Sequence, residues 1–202
     1  MEQILSNPSS QTLLHRALTD IAWLQDKKSG TFGALSVFFI IAFGVGLLTL
    51  SSHTKLNIGL VPITMQSLAI FFIAFTYGAR LGYITVLAWL MASMAGAPVL
   101  ANGAGLAYFT GPTAGYLISF PIAVYVVGWF SDKGASKSPL PLALIMILGN
   151  AIIYAGGLLW LGTFMGYNMA LLNQGMLAFI TGDLAKIAIL AVTLPLIWKL
   201  KP

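Results

Sequence analysis

Residues 140–165 read LPLALIMILGNAIIYAGGLLWLGTFM, 26 positions without an Asp, Glu, Lys or Arg. As a helix rising 1.5 Å per residue the run extends about 39 Å, more than the roughly 30 Å hydrocarbon core of a bilayer. Uncharged sequence of that length reads as a transmembrane helix. The composition of the whole chain agrees. Of 202 residues, 58% are hydrophobic and 7% are charged, whereas a soluble domain is about 25% charged. Burying that excess would need a core larger than a chain of this length encloses, so the bilayer has to bury it.

Working outward, comparable apolar runs occupy 32–50, 63–79, 81–96, 113–131 and 176–199. The expected fold is an all-α membrane protein of six transmembrane helices. The second and third are short and are split by Gly78-Ala79-Arg80-Leu81-Gly82, so together they read as a hairpin. Helices three and four are joined by an apolar, glycine-rich outer loop at 97–112 (APVLANGAGLAYFTGP). The other links are a polar one at 51–60, a charged one at 132–138 and a short one at 166–175. No internal repeat or composition break divides residues 31–202, which form one membrane domain. Residues 1–30 contain Glu2, Asp20 and Asp26 and lack the apolar core of a cleavable signal. They read as a cytoplasmic leader. Within it, 11–28 forms either an amphipathic helix on the membrane surface or a plain polar segment.

Charge sets the orientation. Counting alternate sides, Arg16, Lys27, Lys28, Arg80, Lys133, Lys137, Lys199 and Lys201 fall on one side, and Lys55 alone falls in a loop on the other. The positive-inside rule makes the first side cytoplasmic, with both termini there and 51–60, 97–112 and 166–175 outside. Although the net charge is +5, the cations form no basic stripe interleaved with aromatics, so a nucleic-acid partner is not expected.

Several chemistries are excluded. The chain has no cysteine, hence no disulfide, thiolate metal site or cysteine nucleophile. His15 and His53 are too isolated to share a metal. There is no H-E-x-x-H, no G-x-S-x-G and no G-x-x-x-x-G-K-[ST]. An enzyme with a metal or cofactor is not expected, and any ATP-derived energy must come from partners.

The most informative chemistry lies at Phe179-Ile180-Thr181-Gly182-Asp183-Leu184-Ala185-Lys186, where an acid and a base sit inside the last apolar run. Ionisable groups at that depth cost several kcal/mol unless they pair or face a cavity. Asp183 and Lys186 are spaced i, i+3 and share a helix face, about 10 to 15 Å below the outer surface. They are either a structural ion pair or a ligand site. Apolar replacements would serve stability as well, which favours the ligand site. Near them in character are Gln66 at the start of the second run, and Asn150, Tyr154 and Trp160 in the fifth. Tyr108 and Trp160 also suit the aromatic belt of a membrane interface. In the loop, glycines before Pro112 allow close backbone approach to a ligand. On the first helix Ala42 and Gly46 lie i, i+4 beside Gly44, a small-residue groove of the kind through which membrane helices dock.

Six stretches in register over about 61–190 resemble the biotin-specific substrate-binding subunits (BioY type) of energy-coupling factor transporters. They are Val61-Pro62-Ile63-Thr64-Met65-Gln66-Ser67-Leu68, Gly78-Ala79-Arg80-Leu81-Gly82, Gly96-Ala97-Pro98-Val99-Leu100, Gly111-Pro112-Thr113-Ala114-Gly115-Tyr116, Ile153–Leu161 (IYAGGLLWL) and Thr181-Gly182-Asp183-Leu184-Ala185-Lys186. The resemblance implies six transmembrane helices, no ATPase activity of the chain's own, and a biotin site near the outer face roofed by loops. It implies a bacterial inner-membrane location, a partner transmembrane coupling protein with ATPase subunits, and docking through small residues of the first helix. For the site it implies Asp183 and Lys186 at the polar ends of biotin. Asn102 falls at the ureido edge, Tyr116, Tyr154 and Trp160 form walls, and Gln66 lies nearby. The chain departs from the family in three places. Ala101-Asn102-Gly103-Ala104 replaces a Gly-Gly-polar pattern, Ala114 replaces a glycine, and Leu117 stands where some relatives carry Arg. The group that meets the carboxylate of biotin is therefore open. A carrier for another vitamin on the same fold and an intramembrane transferase remain as alternatives.

Overall fold

The computed structural model describes residues 30–56 and 60–200. The amphipathic leader expected over 11–28 lies outside these residues. Helix α1 is Gly30–His53, and a two-residue antiparallel pair follows, β1 (Lys55–Leu56) with β2 (Ile63–Thr64), in the register Lys55 opposite Thr64. Then come α2 (Gln66–Met94), α3 (Ala114–Asp132), α4 (Pro139–Met165), the single turn α5 (Met169–Leu172), a π-helical turn (Asn173–Leu177) and α6 (Ala178–Leu200). The fold is all-helical apart from the small β pair.

Five segments are long and apolar enough to cross a membrane: α1, α2, α3, α4 and the stretch Met169–Ile197. The sequence led us to expect six, and the difference lies in α2. The expected spans 63–79 and 81–96 are its two arms, divided at Gly78, whose φ of 78° and ψ of −176° interrupt the helix. That backbone region is essentially restricted to glycine. A Cβ placed on Gly82 would lie 3.7 Å from the carbonyl oxygen of Ile73. In an unbroken helix residues nine apart are separated by about 13 Å, so the arms fold back on each other. Each arm alone, about 18 and 24 Å long, is shorter than the hydrocarbon core.

Close approaches through small residues hold the helices together, as expected where lipid supplies no hydrophobic drive between them. A Cβ on Gly128 of α3 would meet the backbone of Gly78 and Ala79, and one on Gly115 would meet the backbone of Gly156 in α4. Helices α2 and α3 are largely buried and form the centre, with Phe71, Phe75, Trp89, Val124 and Val127 in the core. Helix α1 covers one side through Gly44, packed against Thr85 and Tyr77, and leaves most of its surface exposed.

The two ends differ in chemistry. At one, the Ala79 N–H donates to Asp132 Oδ2 (3.1 Å) and Ser131 Oγ donates to the Phe75 carbonyl (2.8 Å), which locks the α2 break to the end of α3. Arg80, Lys133 and Lys137 belong to this end, and the Lys133 ammonium rests over the Trp129 ring. The opposite end gathers the β pair, residues 95–113 and the π turn. Ser52 Oγ and Trp89 Nε1 both donate to the Val99 carbonyl, at 2.7 and 3.2 Å. Trp160 Nε1 donates to the Gly111 carbonyl (2.9 Å). Within 95–113 a 3-10 turn, Leu106–Thr110, is entered through Gly105 at φ 90°.

Candidate functional site

The pocket lies at this second end. Its polar floor is Asp183 and Lys186, which the i, i+3 spacing of α6 turns toward α2 and α4. Both are only 7% exposed. Lys186 Nζ donates to Asp183 Oδ1 (3.0 Å), Ser67 Oγ (2.8 Å) and the Thr64 carbonyl (2.9 Å). Ser67 in turn donates to Asp183 Oδ1 (3.0 Å), and the Tyr154 hydroxyl donates to Asp183 Oδ2. A buried ion pair recovers its desolvation cost only when further hydrogen bonds complete it, and Ser67, Thr64 and Tyr154 provide them. Oδ2 keeps acceptor capacity beyond the Tyr154 bond.

Apolar side chains make the walls: Leu100, Leu117, Phe120, Ile153 and Phe179, with the Tyr116 and Phe179 ring centroids 6.4 Å apart. The Tyr116 hydroxyl donates to the Gly175 carbonyl (2.7 Å), which ties α3 to the π turn just before α6. Gln66, Thr113 and Asn150 add polar groups to the lining, and residues 100–108 form the roof through Leu100, Ala101 and Tyr108. The open space among these residues is about 70 Å³. Burial pushes the Tyr108 phenol above its ordinary value, opposed by hydrogen bonds with the Asn102 backbone and the Thr113 side chain. The hydroxyl at the roof is therefore protonated at neutral pH.

Of the seven ligand-site residues read from the sequence, the structure brings Asp183, Lys186, Tyr116, Tyr154 and Gln66 together around one pocket. It places two elsewhere. Trp160 clamps the end of the loop through Gly111 and does not line the pocket. Asn102 faces a separate shallow cleft with Leu60, Gly103, Gly111 and Pro112, and its Oδ1 accepts from Lys55. Sequence reasoning missed Ser67 and Thr64 as partners of Lys186. Ser67 stands within the quoted 61–68 stretch, directly after Gln66, but a main-chain carbonyl such as that of Thr64 leaves no trace in sequence. Ala42 and Gly46 are exposed on α1 and do not line the pocket, and among the described residues nothing lies within 4 Å of where a Cβ on Gly46 would stand. Among the described residues, no cluster of His, Asp or Glu is placed to hold a metal.

Comparison with known proteins fits this arrangement. Residues 25–202 match the BioY family. A probable biotin transporter BioY of Pyrococcus horikoshii is 33% identical over 150 residues, 74% of this chain and 88% of the relative. One from Rickettsia prowazekii is 35% identical over 162 residues, covering 80% and 82%. Among solved structures, the S-component for biotin from an ECF-type ABC transporter superposes with a TM-score of 0.74 at 26% identity, over 84% of this chain and 94% of its own.

Proposed function

The chain belongs to the BioY family, and on that premise we propose that it is the membrane biotin-binding subunit of an ECF-type uptake system. It mediates biotin uptake and catalyses no reaction. The observation that carries the reading is the buried Asp183–Lys186–Ser67–Tyr154 cluster, set at the floor of an apolar pocket and roofed by residues 100–108. The ureido ring of biotin offers two N–H donors and a carbonyl acceptor. Asp183 Oδ2 accepts a ureido N–H, while the amides of Gln66 and Asn150 offer donors to the carbonyl. Lys186 orients Asp183 through their salt bridge, and a charged acceptor makes the stronger hydrogen bond. Phe120, Phe179, Leu117 and Tyr116 enclose the thiophane ring and tail.

The two arms of α2 count as two crossings, so the chain crosses the cell membrane six times with both termini cytoplasmic. Supporting this, Arg80, Lys133 and Lys137 gather at the end opposite the pocket, as the positive-inside rule requires. The pocket then faces outward, where biotin is captured. A transmembrane coupling protein docks on the small-residue face of α1 at Ala42 and Gly46, and its ATPase partners supply the energy.

Binding to the purified protein tests the ligand. Labelled biotin should bind saturably and be displaced by unlabelled biotin, but not by riboflavin or thiamine. Displacement by either vitamin at similar concentration would assign the pocket to a different cargo.

A further inference from the structure

The donor count at the pocket floor has a consequence for the other end of the ligand. An ammonium has three N–H donors, and all three of Lys186 are engaged, by Asp183, Ser67 and the Thr64 carbonyl. If biotin sits with its ureido ring on Asp183, as the proposed function holds, its carboxylate points toward the mouth and must find another cation or remain unpaired there. Of the other described cations, Arg80, Lys133 and Lys137 lie at the opposite end of the molecule, and Lys199 follows near the far end of α6. The pocket wall supplies none, Leu117 being apolar. The His53 ring turns back onto the Thr49 carbonyl of its own helix (2.8 Å).

Lys55 remains. It sits on β1 directly across the ladder from Thr64, a residue of the pocket lining, at the roughly 5 Å separation of cross-strand partners. Its ammonium donates to the carbonyl of Ala101, in the pocket roof, and to Oδ1 of Asn102, in the shallow outer cleft. Pocket and cleft share Pro62, Tyr108 and Thr113, so the two spaces adjoin. Among the described residues two of its donors are taken. We infer that Lys55 is the carboxylate-recognising residue of this chain, held at the pocket mouth by Ala101 and Asn102 and pairing with the anionic tail of the bound ligand. Asn102 then acts on the ligand indirectly, by positioning Lys55. The inference rests on the biotin reading.

The test compares biotin with biotinamide, whose tail is neutral, on purified wild-type protein and on Lys55→Gln. A charged hydrogen bond at a half-exposed mouth is worth about 10-fold in affinity. The Lys55→Gln protein should lose about that factor for biotin and bind biotinamide as the wild type does, while Lys55→Arg should keep both affinities. Retained biotinamide binding also shows that the variant is folded. Equal losses for both ligands would reduce Lys55 to a staple between loops and overturn the proposal, as would no loss for either. Wild-type protein that binds neither ligand would overturn the biotin reading itself, and this proposal with it.

Discussion

Asp183 and Lys186 hold each other's charge in place, so removing one strands the other in a buried site. Leaving a buried ion unpaired costs about 3–5 kcal/mol, whereas replacing both partners by apolar groups is often neutral or stabilising. This separates a structural pair from a ligand site. Asp183→Asn and Lys186→Ala should each weaken biotin binding by roughly 10- to 150-fold, as the loss of a charged hydrogen bond predicts. The double variant Asp183→Leu/Lys186→Met should insert in the membrane and melt at or above the wild-type temperature, yet bind no biotin in equilibrium dialysis. A double variant with normal affinity would make the pair purely structural. At this scale the sequence was most legible where a residue is expensive in its setting: two charges in an apolar run announce themselves. Asn102 and Trp160 were less legible, because a polar loop residue and an indole have many inexpensive uses. The direction in which each points depends on Lys55 and on the Gly111 carbonyl, which a one-dimensional reading does not bring near them.

Among the elements, α2 shows what periodicity reveals and what it leaves out. The glycines at 78 and 82 marked the break between two short apolar runs, and the structure has it at Gly78. How closely the arms return was hidden, because it depends on Gly82 meeting Ile73 and Val124 and on Gly128 meeting the turn. The β pair and the π turn were not legible either, since two residues of ladder and five of π helix are too short to impose a period. Gly78→Ala should be costly in proportion to its backbone. A side chain in that φ, ψ region adds about 1–3 kcal/mol of strain, and the neighbouring Asp132–Ala79 bond depends on the same turn. Thermal unfolding in detergent should show a lowered midpoint for Gly78→Ala, whereas Gly46→Ala, with open space around it, should leave the midpoint unchanged. Equal midpoints for the two variants would mean that the turn relaxes without strain.

For the molecule as a whole, orientation and partnership follow from what each surface offers. The absence of cysteine makes single-cysteine labelling clean. A cysteine at the exposed Leu106 should react with an impermeant maleimide in intact cells, and one at the exposed Lys133 only after permeabilisation. The reverse pattern would invert the topology. With that orientation the pocket opens outward, and the proposed function has a coupling protein drive the subunit through its cycle. Helix α1 is the surface best fitted to that partner. Its Gly44 is used internally, against Thr85 and Tyr77, whereas Ala42 and Gly46 are exposed, and among the described residues nothing lies within 4 Å of where a Cβ on Gly46 would stand. Small residues on a lipid-exposed face let a second helix approach closely, and van der Waals packing is what makes helices associate in lipid. Ala42→Trp or Gly46→Trp fills that face without entering the protein. Each should abolish co-purification of a coupling protein and biotin uptake in cells, while biotin binding by the purified subunit stays within about twofold of wild type, under 0.5 kcal/mol. Because Gly44 lies on the same helix but inside the packing, Gly44→Trp serves as the contrast and should lower the melting temperature. If Ala42→Trp and Gly46→Trp instead lost biotin binding and kept the coupling protein, the face would belong to the chain's own interior and the docking assignment would fail.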